Sequence, residues 1–175
     1  MGKIKKRLPV KLLIGLIFQE EAILSKTKIL LSRFFGRIDY QSPILPFTHT
    51  DYYREEFGEN LKRQFLTFSR MIDAADLSGI KIITNKIEQK LSLNKNKRRI
   101  NIDPGYLNAA KLVLATTKDF SHRVYLKNGI YAEVTLSFKD KMFCPHEWTY
   151  PDYKSAEYAE IFHKIRDAYL CSLPT

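Results

Sequence analysis

The chain is poor in the residues that would place it in several well-defined classes. It has two cysteines in 175 residues, Cys144 and Cys171. Neither has a second cysteine at metal-ligand spacing, which excludes a zinc-organised fold, and two free thiols in a reducing compartment are expected, with a single disulfide as the alternative. Seven glycines and seven prolines exclude a collagen-like or low-complexity chain. No stretch approaches the roughly 18 apolar residues that a membrane-crossing helix needs. Lys3, Lys5, Lys6, Arg7 and Lys11 flank a short apolar run, Leu12 to Phe18, in the layout of a leader peptide. Gln19-Glu20-Glu21 then stands where a small-residue cleavage site belongs. Lys6 occupies the position where a myristoylation motif requires Ser or Thr. A soluble, cytoplasmic protein without membrane insertion is expected. The string G-x-x-x-x-G-K-[ST] is missing too, and with it the standard P-loop cradle for nucleotide phosphates.

Acidic residues are the scarcer charge, 19 against 29 basic, for a net charge of +10. A basic surface attracts phosphate-bearing partners such as nucleotides and nucleic acid. However, 19 of the 29 basic residues are lysine, beside abundant Ile and Asn. AT-rich codon usage alone yields that composition, so the charge by itself does not establish a partner. The chain is 45% hydrophobic with ten Tyr and eleven Phe, too apolar and aromatic for disorder. Its length suits one domain over residues 1–175.

Periodicity gives the expected elements. Val10–Phe18 is a continuous apolar run of buried-strand length. Glu20–Phe35 switches to helical spacing and ends at Gly36. Ile38 to Phe47, broken by Pro43 and Pro46, suits an edge strand or loop. Leu61–Phe68 reads as a strand. Asp76 is placed to cap a helix to Leu91, with Leu77, Ile80, Ile83, Ile87 and Leu91 at three- and four-residue steps. Arg98–Asp103 reads as a strand ended by a Pro104-Gly105 turn, and Tyr106–Ala115 has helical composition. His122–Leu126 and Ile130–Phe138 flank Asn128-Gly129, a strong hairpin signal. Met142–Cys144 follows a further turn, and Trp148–Tyr153 reads as an aromatic loop. Ser155 caps a last helix to about Cys171. The expected class is α+β, a single domain with a mixed, largely antiparallel sheet and helices mainly on one face.

Four blocks, HTDYYREEFG (49–58), IKIITNKIE (80–88), NIDPGYLNAAKLVLATTKDFSHRVYLKNGIYAEVTL (101–136) and WTYPDY (148–153), together resemble an uncharacterised bacterial family. It is a domain of unknown function of about this length, and members are sometimes labelled GTP-binding protein. The resemblance covers essentially the whole chain and carries over no functional residues. The GTP label finds little support in motifs. Thr84-Asn85-Lys86-Ile87-Glu88 is only faintly similar to the guanine-reading N-K-x-D, with Glu for Asp and a helical setting.

Chemically capable side chains concentrate in Arg98–Thr135. Asp103 sits in an Asp-Pro-Gly string that serves equally as a turn or as a carboxylate at a strand tip. Lys118, His122 and Arg123, with Lys111 as a helical neighbour, could form an anion receptor or a solvated basic face. Strand parity puts Arg123 and Tyr125 on one face of the hairpin and His122 on the other. Glu133, mid-strand among apolar residues, calls for a basic partner, with Arg123 the candidate. His49 and Asp51, near Glu55 and Glu56, could ligate a divalent ion such as Mg or Mn, or form a polar loop. Trp148, Tyr150 and Tyr153, with Asp152, could stack a base or sugar ring or simply pack.

The reading these residues favour is binding, and hydrolysis or transfer, of a phosphate-bearing small molecule or nucleotide. Asp103, Glu133 and His122 would be catalytic, Lys118, Arg123, Tyr125 and Lys111 substrate-binding, and His49 and Asp51 metal ligands. A non-catalytic RNA-binding module and a structural or partner-binding domain are the alternatives.

Overall fold

A computed structural model describes residues 2–3, 7–48, 57–94 and 97–173. The chain opens with β1 (Lys11–Phe18), α1 (Glu21–Phe35), β2 (Ile38–Gln41), β3 (Leu45–Pro46) and β4 (Lys62–Phe68). A single 3-10 turn then leads into α2 (Leu77–Leu91), followed by β5 (Ile100–Leu107) and β6 (Lys111–Thr116). Three further strands follow, β7 (Val124–Lys127), β8 (Ile130–Lys139) and β9 (Met142–Pro145). A 3-10 turn at Pro151–Lys154 precedes the closing helix α3 (Ala156–Cys171).

The strands form one open sheet in the order β2-β4-β1-β5-β6-β8-β7, with β3 beside β4 and β9 beside β8. Every pairing is antiparallel. β1 lies inside the sheet and is buried along its whole length, as its unbroken apolar run implies. Its even residues, Leu12, Ile14, Leu16 and Phe18, meet Ile23, Leu24, Leu31 and Phe35 of α1 and Ile80 and Ile87 of α2. On the other face Leu13 and Phe65 pack against Tyr158, Ile161, Phe162 and Ile165 of α3. Helices α1 and α2 thus share a face and α3 covers the opposite one. Each fully buried Leu, Ile or Phe stabilises the fold by roughly 1.5–3 kcal/mol, so these two layers carry most of the stability. Among the described residues no helix is long and apolar enough to cross a membrane.

Local signals account for several boundaries. Asn128 and Gly129 adopt positive φ (57° and 75°), the geometry a two-residue hairpin requires. Ser155 Oγ accepts the Tyr158 amide at the start of α3. Asp73 rather than Asp76 supplies a capping side chain before α2, accepting from the Ala75 amide.

Two further expectations are corrected. Tyr106–Ala115 is not helical. Asn108 closes a tight turn by accepting from the Ala110 and Lys111 amides, and Leu112–Ala115 then run buried as a strand. Leucine, alanine and lysine favour helices, but burial between two strands overrides that preference. Nor does Asp103-Pro104-Gly105 end its strand, because β5 continues to Leu107. Gly105 is required there: a Cβ would lie 2.3 Å from the Val113 carbonyl oxygen on β6.

Pro104 marks a split in the sheet. Residues 105–107 pair with 112–114, and the ladder stops at Pro104. Proline has no N–H to offer the next rung. The first half of β5 therefore pairs with β1 alone, and β6 continues beside β8. The opening between them is where the cleft lies.

Candidate functional site

At the split, Ile102 lacks a strand neighbour on the β6 side. Helix α2 substitutes for it. Glu88 Oε1 accepts the Ile102 amide at 2.5 Å, and Lys81 Nζ donates to the Ile102 carbonyl at 3.0 Å. Residues 81 and 88 are two turns apart on one helical face, matching the reach of a single extended residue. Burial pushes the Glu88 carboxyl above its ordinary range, against the opposing pull of Lys81, the Ile102 amide and Arg98. Arg98 bridges Glu88 and Asn101, at 3.4 and 3.0 Å.

Through this opening runs a cleft of about 1010 Å³. Its floor is Arg63 of β4, a charged residue only 3% exposed. Arg63 donates to Asp152 Oδ2 at 2.6 Å, and its Nη1 lies 3.8 Å from Asp103 Oδ2. Asp103 also accepts from Asn101 Nδ2 at 2.6 Å and faces Lys81 Nζ at 3.7 Å. The rings of Phe47, Phe65 and Tyr153 surround the guanidinium at 5.0–5.5 Å. Burial works against the Arg63 charge, but Tyr153, Asp152, Tyr158 and Asp103 outweigh it and hold the group protonated. Burial likewise pushes the Tyr158 phenol up to about 12 and the Tyr153 phenol well above its usual value.

This floor is incompletely satisfied. Arg63 Nε and Nη1 and the Tyr153 hydroxyl are buried and make no hydrogen bond of normal geometry among the described residues. A buried donor left so costs about 1–3 kcal/mol, so each calls for a partner such as an ordered water or a bound group.

The far wall is set by Glu133 of β8, opposite Leu114 of β6. Arg123 braces it with all three of its nitrogens: Nε to Glu133 Oε2 at 2.8 Å, Nη1 to the Lys118 carbonyl at 3.0 Å, and Nη2 to the Tyr150 hydroxyl at 2.9 Å. His122 Nε2 lies 3.3 Å from the same Glu133 oxygen. Burial, then the Glu133 carboxylate, push the Tyr150 phenol upward. The rings of Phe120, His122, Trp148 and His146 stack in sequence, with centroids 4.7–6.1 Å apart, and tie the 118–123 turn to the 146–150 loop.

Of the residues expected from sequence, Asp103, Lys118 and Glu133 line one cleft. His122 and Arg123 stand behind Glu133. The parity expectation that these two point to opposite faces is corrected. Both precede β7 in a turn closed by Arg123 N to Phe120 O, so strand alternation does not govern them. Parity also fails further along β8, where the register shifts opposite Leu112/Val113 and puts Leu136 on the face of Leu112. Lys111 and Tyr125 lie elsewhere. Lys111 begins β6 beside the 108–110 turn, and Tyr125 is exposed on the edge strand against Tyr131. The helix expected to make Lys111 a neighbour of Lys118 is a strand. His49, Asp51, Glu55 and Glu56 lie outside the described residues. Among the described residues, no group of three or more His, Cys, Asp or Glu could hold a metal ion. Cys144 and Cys171 are free.

Sequence reading missed Arg63, Lys81 and Glu88, and placed Asp152 only beside the aromatic loop. One signal was available: Lys81, Thr84 and Glu88 repeat at three- and four-residue steps beside Ile80 and Ile87, a polar stripe adjoining the apolar one. Arg63 and Asp152 meet only through tertiary structure.

The family model described as Domain of unknown function (DUF4416) matches residues 8–169, and the chain belongs to that family. Comparisons with curated proteins and with solved structures give no match.

Proposed function

We propose that the cleft of this DUF4416 member binds a phosphate-bearing small molecule or nucleotide. The supporting observation is the convergence on one cleft of Arg63, Lys81, Arg98 and Lys118, which come from β4, α2 and the segments flanking β5 and β6. Lys118 is exposed and Arg98 half-buried, so both stand at the mouth, while Arg63 and Lys81 lie deep. Glu88, Asp103, Glu133 and Asp152 match the four cations in number. That balance suits a compact ligand carrying one phosphate and several hydrogen-bonding groups better than an extended polyanion. Volumes near 1000 Å³ accommodate a nucleotide-sized ligand. Hydrolysis or transfer would place the phosphate against Lys118 and Arg98, and Asp103 would take the proton of the attacking water or hydroxyl as its oxygen bonds to phosphorus and the ester oxygen leaves.

Thermal unfolding with a panel of nucleotides and sugar phosphates, with and without Mg²⁺ or Mn²⁺, tests this reading. A ligand at a hundred times its Kd adds about 2.7 kcal/mol, which raises Tm by roughly 5–10 °C in a domain of this size. Lys118→Ala should shrink the shift. A flat profile across the whole panel would overturn the reading.

A further inference from the structure

The positive charge of the helices is gathered on one side of the sheet. Between Glu21 and Asp39, a stretch that holds nearly all of α1, the sequence has no acidic residue. Lys26, Ile29 and Arg33 follow one another along the solvent side of α1 at three- and four-residue steps, all exposed. At the end of this helix Arg37 follows Gly36, and the Arg70 Cβ lies 3.9 Å from where a Gly36 Cβ would stand. On α2, which shares this face, the exposed charges are Lys86 and Lys90, and the one acid, Glu88, is buried. Acids at the border are already taken: Glu20 pairs with Arg99 at 2.6 Å and Glu21 with Lys62 at 2.8 Å. None of Lys26, Arg33, Arg37, Arg70, Lys86 and Lys90 is drawn into an ion pair among the described residues.

The opposite face has the other sign. Helix α3 exposes Glu157, Glu160 and Asp167 against Lys164 alone, while Arg166 is half-buried and bonded to the Ala109 carbonyl. Codon bias raises lysine along a whole chain and does not choose a face, so this segregation is a property of the fold. Large apolar side chains also stand among the cations: Ile29 is 57% exposed, Phe34 54% and Leu93 65%. Exposed apolar residues scattered singly need no partner. Here each is bracketed by positive charge, Ile29 by Lys26 and Arg33, Phe34 by Arg33 and Arg37, and Leu93 by Lys90 and Lys97.

We infer that the α1/α2 face docks on an anionic phospholipid surface. The cations meet the headgroup phosphates and carboxylates, and Ile29, Phe34 and Leu93 enter the boundary between headgroups and acyl chains. The apolar sides of α1 and α2 stay in the core, and α3 with its acids faces away from the bilayer. Charge complementarity alone would suit a nucleic acid as well. A phosphodiester backbone, however, gives an exposed isoleucine or leucine nothing to enter, and a lipid surface does. This inference does not rest on the reading of the cleft.

Flotation of the full chain with vesicles tests it, using phosphatidylcholine alone and phosphatidylcholine with about one third phosphatidylserine. The chain should float with the second and not with the first, and should be released as salt rises from about 0.05 M to about 0.5 M. Each cation held near an anionic surface is worth about a fivefold change in affinity, so Lys26→Gln with Arg33→Gln should weaken binding roughly 25-fold. Both side chains are exposed, so Tm should not move. Ile29→Ser leaves every charge in place and should still weaken vesicle binding about fivefold. Lys164→Gln on α3 should change nothing. Absence of flotation at low salt, or equal flotation with both vesicles, overturns the inference. So does binding to an RNA hairpin in preference to anionic vesicles, undiminished by Ile29→Ser, which would assign the face to nucleic acid.

Discussion

The two faces of β1 are built on different principles. On one, Leu12, Ile14, Leu16 and Phe18 interlock with α1 and α2 in a wholly apolar layer. On the other, Leu13 and Ile17 flank Gly15, and the space above Gly15 holds a buried guanidinium, two carboxylates and a phenol. A face selected for stability alone would not carry Arg63. Replacing a buried ion pair with apolar residues of similar volume is often neutral or stabilising. The contrast within a single eight-residue strand sets an apolar layer against a buried polar cluster beside the cleft proposed as the ligand site.

Substitutions on either face can break that contrast. The largest effect should come from Phe18→Ala, which empties a fully buried site in the apolar layer. It should cost about 4 kcal/mol in urea unfolding and leave affinity per folded molecule unchanged. Arg63→Met should cost about 3 kcal/mol, because Asp152, 4% exposed, is left as an uncompensated buried charge. The double variant Arg63→Met with Asp152→Leu should regain most of that stability while losing ligand binding. If the double variant were as unstable as the single one, the ion pair would be part of the structural frame and the contrast would be lost.

A smaller, pH-dependent effect sharpens the account of the split. The Glu88 carboxyl is raised above 4.5 chiefly by burial. Between 4.5 and its folded value, the native state therefore binds more protons than the unfolded state. Stability contributed by this group is greatest below that window and declines as pH rises through it. Glu88→Gln keeps an acceptor for the Ile102 amide and cannot ionise. Its Tm relative to wild type should increase from pH 4 to pH 7 in parallel melts. A constant difference would mean that Glu88 is not the source of the dependence.

The fold was legible in sequence wherever local chemistry decides it. The apolar run of β1, the Asn128-Gly129 turn and the Ser155 cap each carry their own physical cause. It was illegible where a neighbour decides. Asp103-Pro104-Gly105 contains turn-forming residues but lies mid-strand, because β6 departs just there and leaves no rung for Pro104 to miss. Asp103, Glu133 and Lys118 could be singled out because polar groups in an apolar stretch stand out. Arg63 and Asp152 are 89 positions apart and bond only after β4 and the 151–154 turn have been brought together. The pairing of His122 and Arg123 on one carboxylate was hidden by assuming strand alternation in what is a turn.

The central claim is that the opening between β5 and β6 is a ligand site. Amide NMR during titration with a nucleotide or sugar phosphate that raises Tm tests it most directly. The account predicts saturable shifts concentrated in Asn101–Asp103, Thr116–Lys118 and Tyr150–Tyr153, with the apolar face of β1 and α1 still. Shifts confined to the β7 edge or to α1, with the β5–β6 opening silent, would contradict it.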